Sequence, residues 1–140
     1  MLNFFLDPYH GGLAATALIS GGMLLSSLAR RATGEVTPTE ATLLINREDA
    51  LVIDVRETNE YANGFIAGSR NIPLAKLGER LGELDGDKNR KVVLACAGGG
   101  RSAQAMKTLL QAGFTDVRNL AGGVAAWQQA GLPLTRKGKK

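Results

Sequence analysis

The run KVVLACAGGGRSAQA, Lys91 to Ala105, decides how the rest of the chain is read. After its lysine, the stretch to Ala95 is continuously apolar, the pattern of a strand buried on both faces of a parallel sheet. Cys96 closes it and Gly98, Gly99 and Gly100 follow closely; from Ser102 onward, Met106, Leu109 and Leu110 recur at helical spacing up to Gly113. A strand that passes through a glycine loop into a helix is a local unit of an α/β layer fold.

Working outward, LVIDV (Leu51 to Val55) is a second buried run, interrupted only by Asp54. Upstream of it, Thr37 can cap a helix, Pro38 suits its first position, and Glu40 completes a capping-box pattern. That helix is expected to turn Ala41, Leu44 and Ile45 inward and to stop near Asn46. ETNEYANG (Glu57 to Gly64) reads as a short helix, and Asn71-Ile72-Pro73 as a brief strand. Leu74, Leu77, Leu81 and Leu84 then recur at helical spacing before a turn at Asp85-Gly86-Asp87. Phe114 is placed to pack back on the helix that ends at Gly113. Asp116 to Leu120 gives another strand, and Gly122-Gly123 opens a last helix holding Trp127. Strands alternate with helices throughout, so the expected class is α/β, with a small, mostly parallel sheet flanked by helices. The domain is expected over 37–134, after a linker at 32–36 and before a basic tail at 135–140.

The chain has 140 residues, enough for one ordinary core. With a single cysteine it has no intrachain disulfide, no Cys-rich zinc site and no internal resolving thiol. Its one histidine, His10, is remote in sequence from Cys96, so a Cys–His protease pair is poorly supported. Aromatic content of 5% leaves few stacking platforms, and no nucleic-acid partner is expected. No metal or cofactor is expected either.

Charge is distributed unevenly. No Lys or Arg precedes Arg30, and Asp7 is the sole acidic residue before it. From Pro8 to Ala29 the chain is free of charged side chains and mostly apolar, about the roughly 20 residues a bilayer span requires. Phe4, Phe5 and Tyr9 flank one end of it, and Arg30 and Arg31 the other. Three readings are open. A secretory leader lacks its basic start, and a surface-lying amphipathic helix lacks its basic face. A single anchoring helix at about 9–29 fits better. The positive-inside rule then keeps Arg30, Arg31 and the domain at the cytoplasmic face of the inner membrane. The tail RKGKK is a solvated end or a weak attraction to anionic headgroups.

Cys96 has two readings as well. A lone cysteine is often an inert, buried, small apolar residue. A thiol at the end of a buried α/β strand, however, lies where ligand sites gather. Gly98, Gly99 and Gly100 can turn successive backbone N–H groups toward one point, and the helix start beyond them favours an anion. Both effects lower a thiol pKa. Arg101 adds a fixed positive fork at the rim. A phosphate-binding loop of the common kind is excluded, since no Lys-Ser/Thr follows the glycines.

ALVIDVRETNEYANGFIAGSRNIPL (Ala50 to Leu74), CAGGGRS (Cys96 to Ser102) and GFTDVRNLAGGVAAW (Gly113 to Trp127), in this order, resemble the rhodanese homology domain. With the apolar segment in front, the chain looks like a membrane-anchored single-domain rhodanese. The resemblance implies a five-stranded sheet. It also implies that Cys96 accepts a sulfane sulfur from a small donor, such as thiosulfate or a persulfide, and passes it to a thiol or protein acceptor. Ala97, Gly98, Gly99, Gly100, Arg101 and Ser102 would line the pocket, with Arg101 binding an anionic donor. Four residues between Cys96 and Arg101 match the sulfur-transfer loop, where phosphatases of this fold carry five. Asp54 and Arg56 match the family's Asp-Val-Arg motif, as a structural brace or as part of the site. Phe65 stands where the family usually has histidine, a packing position. The plain glycine loop leaves a second reading open, a non-catalytic module that brings a partner to the membrane.

Overall fold

The computed structural model describes residues 34–136. Five strands form one sheet: β1 (Glu35–Val36), β2 (Leu51–Asp54), β3 (Arg70–Asn71), β4 (Lys91–Ala95) and β5 (Asp116–Leu120). Their order is β1-β5-β4-β2-β3, and all four pairings are parallel. The helices are α1 (Pro38–Glu48), α2 (Thr58–Ala62), α3 (Leu74–Leu77), α4 (Gly100–Gln111) and α5 (Gly123–Gln129), with a 3-10 helix at Leu81–Asp87. This is the expected five-stranded α/β architecture.

The register explains the two apolar layers. Leu51 sits beside Val92 and Ile53 beside Leu94, while Val52 sits beside Val93. Because strand side chains alternate in direction, the two sets face opposite ways. Leu51, Ile53, Val92, Leu94 and Val117 pack under Leu77, Leu84, Ala105 and Leu109 from α3, the 3-10 helix and α4. On the other face Val52, Val93, Ala95 and Leu120 meet Ala41 of α1 and Val124 and Trp127 of α5. Continuous apolar runs in β2 and β4 are thus the consequence of burial on both sides.

Local chemistry sets the element ends. The Thr37 hydroxyl accepts the Glu40 N–H at 3.1 Å, the expected cap. The helix passes Asn46 and ends on Asp49, whose left-handed backbone (φ 53°) turns the chain into β2. Gly113 (φ 101°) ends α4, and the Phe114 N–H returns to the Leu109 carbonyl at 3.1 Å while its ring joins Leu109 in the core.

Three expectations need correction. Glu35 and Val36, read as the end of a linker, are the edge strand β1, paired with Asn119 and Leu120. The leucines from Leu74 to Leu84 do not share one helix. The chain breaks after Leu77 and re-forms as a 3-10 helix that absorbs the expected turn at Asp85-Gly86-Asp87. Gly78, Gly82 and Gly86 each weaken a continuous α-helix by roughly 1 kcal/mol. Last, the brief strand near Asn71 is Arg70–Asn71 and stops before Ile72.

The apolar segment at 9–29, Arg30, Arg31 and the end of the basic tail from Lys137 lie outside the described residues. Among the described residues, no helix is long and apolar enough to cross a membrane.

Chain direction fixes where a site can form. β4 leads into α4 on one face of the sheet, and its neighbour β5 leads into α5 on the opposite face. Adjacent connections that diverge open a crevice at the carboxyl ends of the strands. Cys96 stands at that point.

Candidate active site

The loop after β4 is held from below by its carbonyls. The Ala95 carbonyl accepts the Val55 N–H at 2.9 Å, that of Cys96 accepts Val124 N–H at 2.8 Å, and that of Ala97 accepts Ala125 N–H at 3.2 Å. With its carbonyls engaged by β2 and by α5, the loop presents N–H groups inward. Gly99, left-handed at φ 100°, donates its N–H to Cys96 Sγ at 2.8 Å. Of the three successive glycines only Gly99 needs this conformation; a Cβ on Gly98 or Gly100 meets nothing within 4 Å. Those two positions are exposed, open space rather than turn chemistry. Gly123 is a second glycine that the site requires. Its φ is +62°, and a Cβ there would lie 2.2 Å from the Cys96 carbonyl oxygen.

Cys96 itself is fully covered (0% exposed), on the same face as Leu94 and Asn119. Burial raises its pKa. The Ser102 hydroxyl and the backbone N–H groups of Ser102, Gly99 and Arg101 outweigh it, so the thiol ionises below the ordinary cysteine range. The Ser102 hydroxyl lies 3.4 Å from Sγ and 3.0 Å from the Gly99 carbonyl, and bonds the Asn119 side-chain oxygen. Asn119 in turn donates to the Gly99 carbonyl at 3.2 Å. Ser102 has one proton for these acceptors, and a sulfur anion is the acceptor that binds it most strongly. Asn119 is a residue the sequence reading missed. The signal was weak: Asn119 shares a strand face with Val117, and a buried amide there needs a partner.

Arg101, expected as a free counter-charge, is already paired. Its Nη1 and Nη2 donate to Glu60 Oε1 and Oε2 at 2.7 and 2.9 Å, a bidentate clamp between α4 and α2. Glu60, also unforeseen, has its pKa lowered to about 2, chiefly by Arg101. Asp54 and Arg56, the two residues of the Asp-Val-Arg motif, are paired with each other as a buried brace. Arg56 Nε and Nη2 grip the Asp54 carboxylate at 2.7–3.0 Å, and Nη2 also donates to the Gly64 carbonyl at 2.7 Å. Arg56 Nη1 reaches the Glu60 carbonyl at 3.4 Å, so the brace also holds the residue that holds Arg101. Asn71 fastens the brace to the edge strand, donating to the Asp54 and Arg56 carbonyls at 3.0 and 2.9 Å.

Phe65 serves packing. Its ring stacks on Tyr61 with centroids 4.3 Å apart, and its backbone exchanges two 2.8 Å hydrogen bonds with Thr135.

A parallel α/β sheet carrying a pKa-lowered thiol in an anion-binding loop at its carboxyl edge defines a class of domains built for thiolate chemistry. Within that class the assignment is specific. Residues 37–130 match the Rhodanese-like domain family, and the chain belongs to it. It is 39% identical over 102 residues to the uncharacterized protein YibN of Escherichia coli, covering 72% of this chain and 71% of that one. It is 40% identical over 91 residues to a sulfurtransferase of Allochromatium vinosum, covering 65% and 83%. Among solved structures, a thiosulfate sulfurtransferase from Pseudomonas aeruginosa superposes with a TM-score of 0.68 at 32% identity, over 80% of this chain and 22% of that chain. The rhodanese-like domain of the Anabaena Alr3790 protein gives 0.67 at 28%, over 74% and 79%.

Proposed function

We propose that the protein is a sulfurtransferase that carries sulfane sulfur as a persulfide on Cys96. The observation that carries this reading is the Gly99 N–H aimed at Sγ at 2.8 Å in a loop whose hydrogen bonds hold the thiol pKa down. The sulfurtransferase names of relatives support it.

In the first half-reaction the Cys96 thiolate attacks the outer sulfur of the donor. A Cys96–S–S bond forms, the donor's bond to that sulfur breaks, and the donor departs with the electron pair as sulfite or a thiolate. In the second half-reaction an acceptor thiolate attacks the terminal sulfur and Cys96 leaves as thiolate. Each leaving group on the enzyme side is stabilised by the Ser102 hydroxyl and the loop N–H groups. The exposed, side-chain-free positions Gly98 and Gly100 are the thin cover through which donor and acceptor approach the buried sulfur.

The test is intact mass spectrometry of the full-length protein after incubation with thiosulfate and, separately, with a persulfide. One added sulfur, removed by reductant and absent in Cys96→Ala, is expected; no addition with any donor overturns the proposal. A deletion strain fully restored by Cys96→Ala would favour a recruiting module instead.

The charge-free run before Arg30 supports a second part of the reading, an anchor that holds the domain at the cytoplasmic face of the inner membrane. Recovery of the full-length chain in the membrane fraction, resistant to carbonate, is expected; release by carbonate would refute it.

A further inference from the structure

The guanidinium that an anionic donor would seek is occupied. Arg101 spends two of its donors on Glu60 at 2.7 and 2.9 Å, and both side chains are only about one-third exposed (35% and 34%). Glu60 is not free to swing aside at no cost. The Glu57 backbone N–H donates to its Oε1 at 3.1 Å, and Arg56 holds its carbonyl. Arg56 cannot substitute for Arg101, being buried and fully engaged by Asp54 and the Gly64 carbonyl. The charges that act on Arg101 are those of Glu60, Cys96 and Glu57, all negative when ionised. Ala97, Gly98, Gly99 and Gly100 bring no charge of their own. Among the described residues, the guanidinium of the loop is therefore already neutralised, and Glu57 adds a further negative charge that acts on it.

A thiosulfate dianion entering the site must either break the Glu60–Arg101 clamp or sit beside carboxylates without a counter-ion. A persulfide R–S–SH with an uncharged or cationic R group meets neither obstacle. We propose that Glu60 is a specificity residue: by clamping Arg101 it makes the site select weakly charged persulfides over dianionic thiosulfonate-type donors. This rests on the sulfurtransferase reading above and names its donor class.

For the favoured donor the step balances as Cys96–S⁻ plus R–S–SH giving Cys96–S–SH plus R–S⁻. The new S–S bond forms as the R–S–S bond breaks, and R–S⁻ takes the electron pair. With thiosulfate the same attack leaves Cys96–S–S⁻ and releases the sulfite dianion, so the burden falls on the bound stage, where thiolate and donor together place three negative charges in the site against one for a neutral persulfide.

The experiment compares thiosulfate with cysteamine persulfide on the full-length protein, wild type and Glu60→Gln, by initial rates of sulfur transfer to a thiol acceptor. The wild type is expected to show a higher kcat/KM with the persulfide. Glu60→Gln keeps an oxygen for one Arg101 donor but removes the competing charge. It should raise the thiosulfate-to-persulfide ratio of kcat/KM about tenfold, the scale of one charge-assisted hydrogen bond, mainly through KM for thiosulfate. A purely structural Glu60 would lower both donors alike and leave the ratio unchanged, which would overturn the proposal. A wild-type preference for thiosulfate would overturn it as well, independently of how the variant behaves. Should neither donor load Cys96, the sulfurtransferase reading itself fails; loading of Cys96 best by thiosulfate refutes the donor selection alone.

Discussion

Gly123→Ala is the substitution for which the structure sets the largest consequence from the smallest change. A single methyl is added at a residue with φ +62°, and its Cβ would lie 2.2 Å from the Cys96 carbonyl oxygen and 2.8 Å from the Ala97 carbonyl group. The obstacle is backbone, so no rotamer relieves it. The left-handed conformation alone costs about 1–2 kcal/mol for a residue with a Cβ. Moving α5 away to relieve the contact stretches the 2.8 Å bond from Val124 N–H to the Cys96 carbonyl, worth about 1 kcal/mol. A total of about 2–3 kcal/mol corresponds to a fall in Tm of roughly 8–12 °C or more for a domain of this size. The carbonyls that anchor the loop are the same ones that aim its N–H groups at sulfur. Stability and thiol reactivity should therefore fall together. Thermal unfolding by circular dichroism and the pH dependence of Cys96 alkylation by iodoacetamide read the two. Gly100→Ala is the control, because a Cβ there meets nothing within 4 Å and the residue begins α4. It should leave Tm unchanged or raise it slightly. A Gly123→Ala protein with wild-type Tm and an unshifted alkylation midpoint would refute the view that α5 sets the loop.

Three further outcomes are expected. Ser102→Ala removes the hydroxyl that helps hold the Cys96 pKa down, so the alkylation midpoint should rise; an unchanged midpoint would leave the N–H groups as the sole cause. Arg56→Met leaves the Asp54 carboxylate buried without its partner, and loss of about 3–5 kcal/mol in denaturant unfolding is expected, against near-neutrality if the pair were idle. Glu60 has a folded-state pKa of about 2 against 4.5 ordinarily, so its stabilising contribution is complete above pH 4.5 and is lost as pH falls toward 2. Glu60→Gln should lose less stability than wild type across that window, as followed by chemical denaturation at each pH.

Much of the fold was legible because it depends on local pattern. The apolar runs of β2 and β4 announced strands buried on two faces, and Thr37 and Gly113 marked helix ends where they occur. β1 escaped because two residues carry no period; Glu35 and Val36 become a strand only by pairing with Asn119 and Leu120. The break between Leu77 and Leu81 escaped for a different reason. Leu81 and Leu84 are three apart, a spacing that satisfies a 3-10 turn as well as an α-helix, and Leu77 and Leu84 reach the same core either way.

For the site, the sequence by itself determined the thiol, the glycine loop after it and the four-residue spacing to Arg101. These lie within one loop, where glycine backbone freedom and the helix start act over a few bonds. Only the tertiary structure decided what that loop can select. The clamp on Arg101 comes from Glu60, 41 positions away, and the partner of Ser102 from Asn119 on the neighbouring strand. The wall that fixes the Cys96 carbonyl is Gly123, at the start of a helix on the opposite face of the sheet. Charge neutralisation and close backbone approach act through space, and residues far apart in the chain acquire those roles only once β4, β5 and α2 are brought together.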